Sequence, residues 1–207
     1  MKPILTVFDL EGTLAPEIWI AIAERTGIEA LRLTTKDVPD FNALMLRRME
    51  LLREHKIVHA DLENVLEGIE PFEGAVELIQ WIRSLKGVQP IILSDTFYQF
   101  AHHLMKRFGD PLLLCNSLRI DGDGYISGYH LRHAVPDHKG VAVRAFRDIG
   151  CSVFAMGDSY NDISMLHEAD TGVLFRSPEH IRKKYPHIPT VDSYVEVRGY
   201  IEDMLLG

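Results

Sequence analysis

The chain has 207 residues, 46% of them apolar and 25% charged, and a formal net charge of −8. That length supports one sizeable core with room for a small inserted subdomain. The acidic balance argues against a general nucleic-acid surface and against anionic membranes, but not against a small anion held by a local cation. In chain order, Pro3-Ile4-Leu5-Thr6-Val7-Phe8 is a nearly continuous apolar run that predicts a buried parallel strand. Asp9 follows with no turn residue before it, and Gly12 lets the chain bend away. A carboxylate at that place costs free energy unless a cation or donors hold it. It is also where open α/β sheets bind ligands, so Asp9 is a candidate metal ligand or nucleophile.

Further strands are predicted at 89–94, 111–116, 151–156 and 171–175. Helices are predicted at 17–26, 41–54, 61–67, 74–86, 97–108, 138–149, 160–168, 178–184 and 193–205. The alternation indicates an α/β fold with a parallel sheet. Residues 14–70 have helical periodicity and no convincing strand, far more chain than a crossover needs. They read as a small inserted helical cap (14–70) on a core formed by 1–13 and 71–207. Residues 118–129 alternate around Asp121-Gly122-Asp123-Gly124 and predict a β-hairpin. A calcium loop is excluded there, because Ile126 and Arg132 stand where its glycine and glutamate belong. Cys115 and Cys151 adjoin apolar stretches and read as buried thiols. No apolar run approaches transmembrane length, and Asp9 and Glu11 arrive before a secretory apolar region can form, so cytoplasm is the expected location.

Two later strand ends repeat the first. One runs into Ser94-Asp95-Thr96, the other into Gly157-Asp158-Ser159-Tyr160-Asn161-Asp162, and between them Asp137-His138-Lys139 opens a helix. Asp158 and Asp162 are four apart and share a face if the helix begins near Ser159. Close carboxylates demand a cation, and oxygen donors suit Mg²⁺.

Taken together, Asp9-x-Glu11-Gly12-Thr13, Ser94, Lys139 and Gly157-Asp158-Ser159-x-Asn161-Asp162 resemble, in order, the motifs of the haloacid dehalogenase superfamily across essentially the whole chain. The resemblance implies a three-layer Rossmann-like core with a parallel sheet and an inserted helical cap. It also implies chemistry through an aspartyl-phosphate. Asp9 would be the nucleophile. Mg²⁺ would be held by Asp9, Asp158 and the Glu11 carbonyl. Ser94 and Lys139 would bind the phosphoryl oxygens, and Glu11 would act as general acid and base. Asp162 would orient Lys139 or a metal-bound water, with Thr13 and Asn161 as lesser supports. Glu11 stands where the superfamily usually has aspartate, a longer side chain that would disfavour water activation relative to transfer onto an alcohol.

Within the superfamily the chain resembles the phosphoserine phosphatase branch, and more narrowly its phosphoserine:homoserine phosphotransferase subgroup. The residues involved are Glu11-Gly12, Pro16-Glu17-Ile18-Trp19-Ile20 and Ser94-Asp95-Thr96-Phe97-Tyr98. Glu17 and Arg48 would read the substrate's ammonium and carboxylate, and Asp95 would add a contact to an amino group. The substrate-binding set is thus Glu17, Arg48, Ser94, Asp95, Lys139 and Asn161. The partners implied are phosphoserine, homoserine as a candidate acceptor, and a second copy of the chain as a candidate homodimer. Another small phosphomonoester, a sugar phosphate or nucleotide, is the alternative substrate. Trp19, Phe41 and Met45 are expected to pack, and His102, His103, His130 and His133 to be surface or structural residues. A P-loop kinase is excluded by the absence of its glycine-rich motif.

Overall fold

A computed structural model describes residues 2–34, 37–38, 40–133, 135 and 137–206; Pro136, ahead of the predicted helix at 138, lies outside them. The strands are β1 (Ile4–Phe8), β2 (Val88–Phe97), β3 (Leu112–Ile120), β4 (Ile126–His130), β5 (Ser152–Gly157), β6 (Thr171–Phe175) and β7 (Thr190–Val191). They form one seven-stranded sheet in the order β4-β3-β2-β1-β5-β6-β7, parallel except for the hairpin strand β4. The α-helices are α1 (Ile18–Thr26), α2 (Phe41–Glu54), α3 (His59–Glu67), α4 (Ala75–Ser84), α5 (Tyr98–Arg107), α6 (His138–Asp148), α7 (Ile163–Glu168), α8 (Glu179–Lys184) and α9 (Tyr194–Leu206).

The period-two alternation of the strands builds three layers. On one face Ile4, Phe8, Ile92, Phe154, Met156 and Phe175 pack against α1, α4, α5 and α9. On the other, Val7, Ile91, Leu93, Val153, Ala155 and Leu174 pack against α6, α7 and α8. Each such side chain contributes about 1.5–3 kcal/mol on burial, which offsets a charged cluster at the sheet's edge. The apolar cluster on the first face continues without a break into α1, α2 and α3 through Trp19, Ile22, Met45, Leu52 and Leu62. These three helices occupy the stretch between β1 and β2, where the described residues contain no strand.

Strand register places the site. Phe8 lies opposite Ile92 of β2 and Met156 of β5. Asp9, Ser94 and Asp158, one or two residues further along three adjacent parallel strands, therefore arrive at one edge.

Four expectations need adjusting. β2 does not stop at residue 94 but continues to Phe97, its register with β3 shifting between Leu93 and Phe97. β-favouring Thr96 and Phe97 hold the chain extended, so Ser94 is a strand residue and not a helix cap. The predicted strand 111–116 runs on into the hairpin's first arm. A 3₁₀ turn at Tyr160–Asp162 precedes α7, so Asp158 lies ahead of the helix that was to place it beside Asp162. The two-residue β7 and the 3₁₀ turn at Glu29–Arg32 are additional elements, too short to carry a periodic signal. The hairpin turn itself is as expected: Asp121 accepts from the amides of Asp123 (3.1 Å) and Tyr125 (2.9 Å), and pairs with Arg53 of α2 at 2.7 Å. Both cysteines are free thiols and half-buried. No helix among the described residues is long and apolar enough to cross a membrane.

Candidate active site

Lys139 is the centre of charge, 1% exposed at the start of α6. Its ammonium donates to Asp162 Oδ1 at 2.7 Å and Asp9 Oδ1 at 2.9 Å, and lies 4.0 Å from Asp95 Oδ2. Burial works against this cation, but Asp162, Asp9 and Asp95 outweigh it and hold its pKa well above the usual lysine range. The second oxygen of Asp162 accepts from the amides of Asp158 (3.1 Å) and Ser159 (3.0 Å), which pins the turn after β5. Glycine at 157 is required for this close packing, since a Cβ there would lie 2.4 Å from that of Asp162.

Asp9 is buried, and burial pushes its pKa well above the carboxylate range; Lys139 opposes this, and Asp162 and Asp158 add to it. One ammonium faces several carboxylates here, so a further cation beside Asp9 would favour its ionised form. Oxygens of Asp9, Asp158 and Asp162 lie within 4.8 Å of one another, an all-oxygen donor set suited to a hard divalent ion. Asp162 has one oxygen on Lys139 and the other on two amides, whereas Asp9 bonds Lys139 through Oδ1, so Asp9 with Asp158 could hold such an ion. The main chain after Glu11 runs close by. Gly12 has φ +78°, and a Cβ on it would come 2.7 Å from Asp158 Oδ2.

The Glu11 side chain lines the same cavity as Asp9 and accepts from the amide of Ile18 at 2.9 Å, at the start of α1. Burial first, then the neighbouring Glu17 carboxyl, raise its pKa to about 7, so near neutrality it exists in both protonation states.

Asp9, Glu11 and Ser94 line a cavity of about 840 Å³ together with Glu17, Trp19, Phe41, Arg48, Asp95 and Asn161. Arg48 is 6% exposed, stacks 4.4 Å from the Trp19 ring centroid, and donates to the Leu33 carbonyl at 2.7 Å. Its Nε is buried without a partner. Burial lowers its pKa to about 10, which leaves it charged. The adjacent Arg47 instead faces solvent and lies 3.8 Å from Glu50, so helix geometry selects Arg48. Trp19 packs edge-on against Phe100 at 5.2 Å, Phe41 against Tyr129 at 5.7 Å, and Met45 is buried. Trp19 and Phe41 both pack and line the cavity.

Ser94 is buried beside Asp9 at the cavity floor and accepts from the Thr96 amide at 3.3 Å. The carboxylate of Asp95 is already engaged by protein donors: His138 Nε2 at 2.8 Å from Oδ1 and Asn161 Nδ2 at 2.9 Å from Oδ2. Burial opposes its ionisation, but Lys139, His138 and Asn161 prevail and hold it well below the usual carboxylate range. Thr13 is buried, its hydroxyl without a partner and its carbonyl bonded to the Tyr194 hydroxyl at 2.8 Å. Several lining residues had no site role in the sequence reading, among them His138, Asn116 and His133, the last expected to be a surface or structural residue. Their only sequence signal was a polar side chain within reach of a predicted strand or helix end.

The family description "haloacid dehalogenase-like hydrolase" matches residues 5–170. The chain belongs to this family. It is 45% identical over 194 residues to phosphoserine phosphatase ThrH of Pseudomonas aeruginosa, covering 94% of this chain and 93% of that protein. It is also 45% identical over 194 residues to a phosphoserine phosphatase of Pseudomonas syringae pv. tomato, covering 94% of this chain and 80% of that protein. Among solved structures, a phospho-aspartyl intermediate analogue of phosphoserine phosphatase superposes with a TM-score of 0.78 at 20% identity, covering 97% of this chain and 99% of that one. At that identity the superposition shows the shared fold.

Proposed function

We propose that the protein is a Mg²⁺-dependent phosphoserine phosphatase that works through phosphorylated Asp9 and also passes the phosphoryl group to homoserine. The observation that carries this reading is one cavity lined by Asp9, which is ion-paired to Lys139 at 2.9 Å, and by a buried, incompletely satisfied Arg48 together with Glu17. The first pair suits a phosphoryl group, the second the carboxylate and ammonium of an amino acid. Likeness to phosphoserine phosphatases over nearly the whole chain supports the same substrate.

In the first step an Asp9 oxygen bonds to phosphorus as the bond to the seryl oxygen breaks. Glu11, protonated in part near neutrality, gives the departing oxygen its proton. In the second step Glu11 takes a proton from water, whose oxygen displaces the Asp9 carboxylate from phosphorus. Lys139 and Ser94 hold the phosphoryl oxygens, and Asp162 holds Lys139. Mg²⁺, held by Asp9, Asp158 and the Glu11 carbonyl, supplies Lewis-acid charge neutralisation when bound. Residues 14–70, with α1, α2 and α3, act as the cap carrying Glu17 and Arg48 over this centre.

Homoserine, an alcohol, takes the place of water in the transfer reaction. A cavity of about 840 Å³ is at the large end of small-molecule sites (roughly 300–1,000 Å³), which supports room for both partners. The test is phosphate release from a panel of small phosphomonoesters with Mg²⁺, repeated with homoserine. Phosphoserine should be preferred, Asp9→Asn should abolish turnover, and Arg48→Ala should raise KM for phosphoserine about tenfold or more while sparing a carboxylate-free ester. Equal use of sugar phosphates or nucleotides would reject the substrate, and phosphate release unchanged by homoserine would reject the transfer.

A further inference from the structure

A closed ring of hydrogen bonds ties the segment after β4 to the end of β2 that carries Ser94. Arg132 NH2 lies 2.8 Å from His138 Nδ1, and His138 Nε2 lies 2.8 Å from Asp95 Oδ1. The Arg132 amide donates to Asn116 Oδ1 at 3.0 Å, and Asn116 Nδ2 donates to the Asp95 carbonyl at 2.7 Å, which closes the ring. A guanidinium has donors and no acceptor. His138 Nδ1 must therefore accept, and its proton resides on Nε2, aimed at Asp95. The imidazole is a neutral relay with a cation behind it.

The need for such a relay follows from the charges around Lys139. Its single ammonium already faces Asp9, Asp162 and Asp95. A phosphate dianion bound at Ser94 would meet Asp95 in the adjacent position. Left unscreened, that carboxylate would repel it at short range.

Building on the phosphomonoester reading, we propose that Arg132 and His138 are positioning residues for phosphate binding. Arg132, through the neutral ring of His138, orients and screens Asp95 so that a phosphate group can enter beside Ser94. Neither residue touches the reacting atoms in this account, so loss of the relay acts on KM and leaves kcat nearly intact.

The experiment measures orthophosphate binding by titration calorimetry with Mg²⁺ present, alongside KM and kcat for phosphoserine, in wild-type protein and folded variants checked by circular dichroism. His138→Ala should weaken orthophosphate and raise KM about tenfold, with kcat changed about twofold or less. His138→Gln keeps one acceptor and one donor and should stay within about threefold of wild type. Adding Asp95→Asn to His138→Ala removes the carboxylate charge and should recover most of the lost affinity. If His138→Ala does not fold, Arg132→Gln with and without Asp95→Asn poses the same question. Orthophosphate binding unaffected by loss of the relay, or no recovery in the double variant, would overturn the proposal. A His138→Gln loss as deep as that of His138→Ala would also overturn it. Wild-type protein that binds no orthophosphate at all would instead remove the phosphomonoester reading, and this inference with it.

Discussion

Glu11 is the residue whose protonation can be read most directly in solution. Burial and the Glu17 carboxyl raise its pKa from 4.5 to about 7 in the folded chain. The folded state therefore binds more protons than the unfolded one between those values, and stability falls as pH rises through that window. In metal-free protein this contribution should be complete below about pH 4.5 and lost above about pH 7, with a span of up to about 3 kcal/mol. Glu11→Gln should flatten that part of the curve, measured by urea unfolding across the range. An unchanged pH dependence would show that Glu11 titrates normally. At this scale the sequence was legible where a polar group followed an apolar run: Asp9 and Asp158 stand just past strands the pattern could find, and Ser94 follows the apolar run inside β2. Lys139 was readable through its place in the motif order. His138 and Arg132 were not, because their roles depend on Asp95, brought to them by tertiary folding from a distant strand. A histidine beside a lysine at a helix start carries no local trace of that pairing.

Among the elements, the turn after β1 is the one most tightly bound to the chemistry. Gly12 has φ +78°, and its missing Cβ leaves room for Asp158 Oδ2. Gly12→Ala would add about 1 kcal/mol of backbone strain, which the chain as a whole can absorb. The larger effect should be displacement of Asp158, seen as a rise of about tenfold in the Mg²⁺ concentration giving half-maximal phosphate release. A change in stability with an unaltered Mg²⁺ requirement would separate Gly12 from the metal centre. Helix positions were legible almost to the residue where an amphipathic face faced the core, as in α2 at 41–54. The end of β2 was misjudged because Ser94 and Asp95 are poor strand formers. Pairing with β3 resumes at Phe97 after the register shift and overrides that local preference.

For the whole molecule, the proposed Mg²⁺ site at Asp9 and Asp158 predicts a stability that depends on the cation. Mg²⁺ at about a hundred times its dissociation constant should stabilise the fold by about 2.7 kcal/mol, worth roughly 5–10 °C in Tm for a chain of this length. A chelator should abolish the shift, and Asp158→Asn should greatly reduce it, followed by scanning calorimetry at fixed ionic strength. An equal shift in that variant would place the ion elsewhere. The parallel sheet and the helical stretch between β1 and β2 were legible, because each produces a repeating pattern in the sequence, while the three layers followed from the family resemblance. That those helices share one apolar cluster with the sheet was not legible, since periodicity shows which face is apolar but not what it meets.

That shared cluster would also bear on how molecules enter and leave the cavity. Swinging α1, α2 and α3 outward would strip Trp19 from Phe100 and expose Met45, Leu52 and Leu62, each at about 1.5–3 kcal/mol. Traffic through the cavity mouth is cheaper by small sliding adjustments of packed helices, with the greasy contacts kept in register throughout. The pace of product escape would then be governed by the fit between Trp19 and Phe100, well away from any reacting atom.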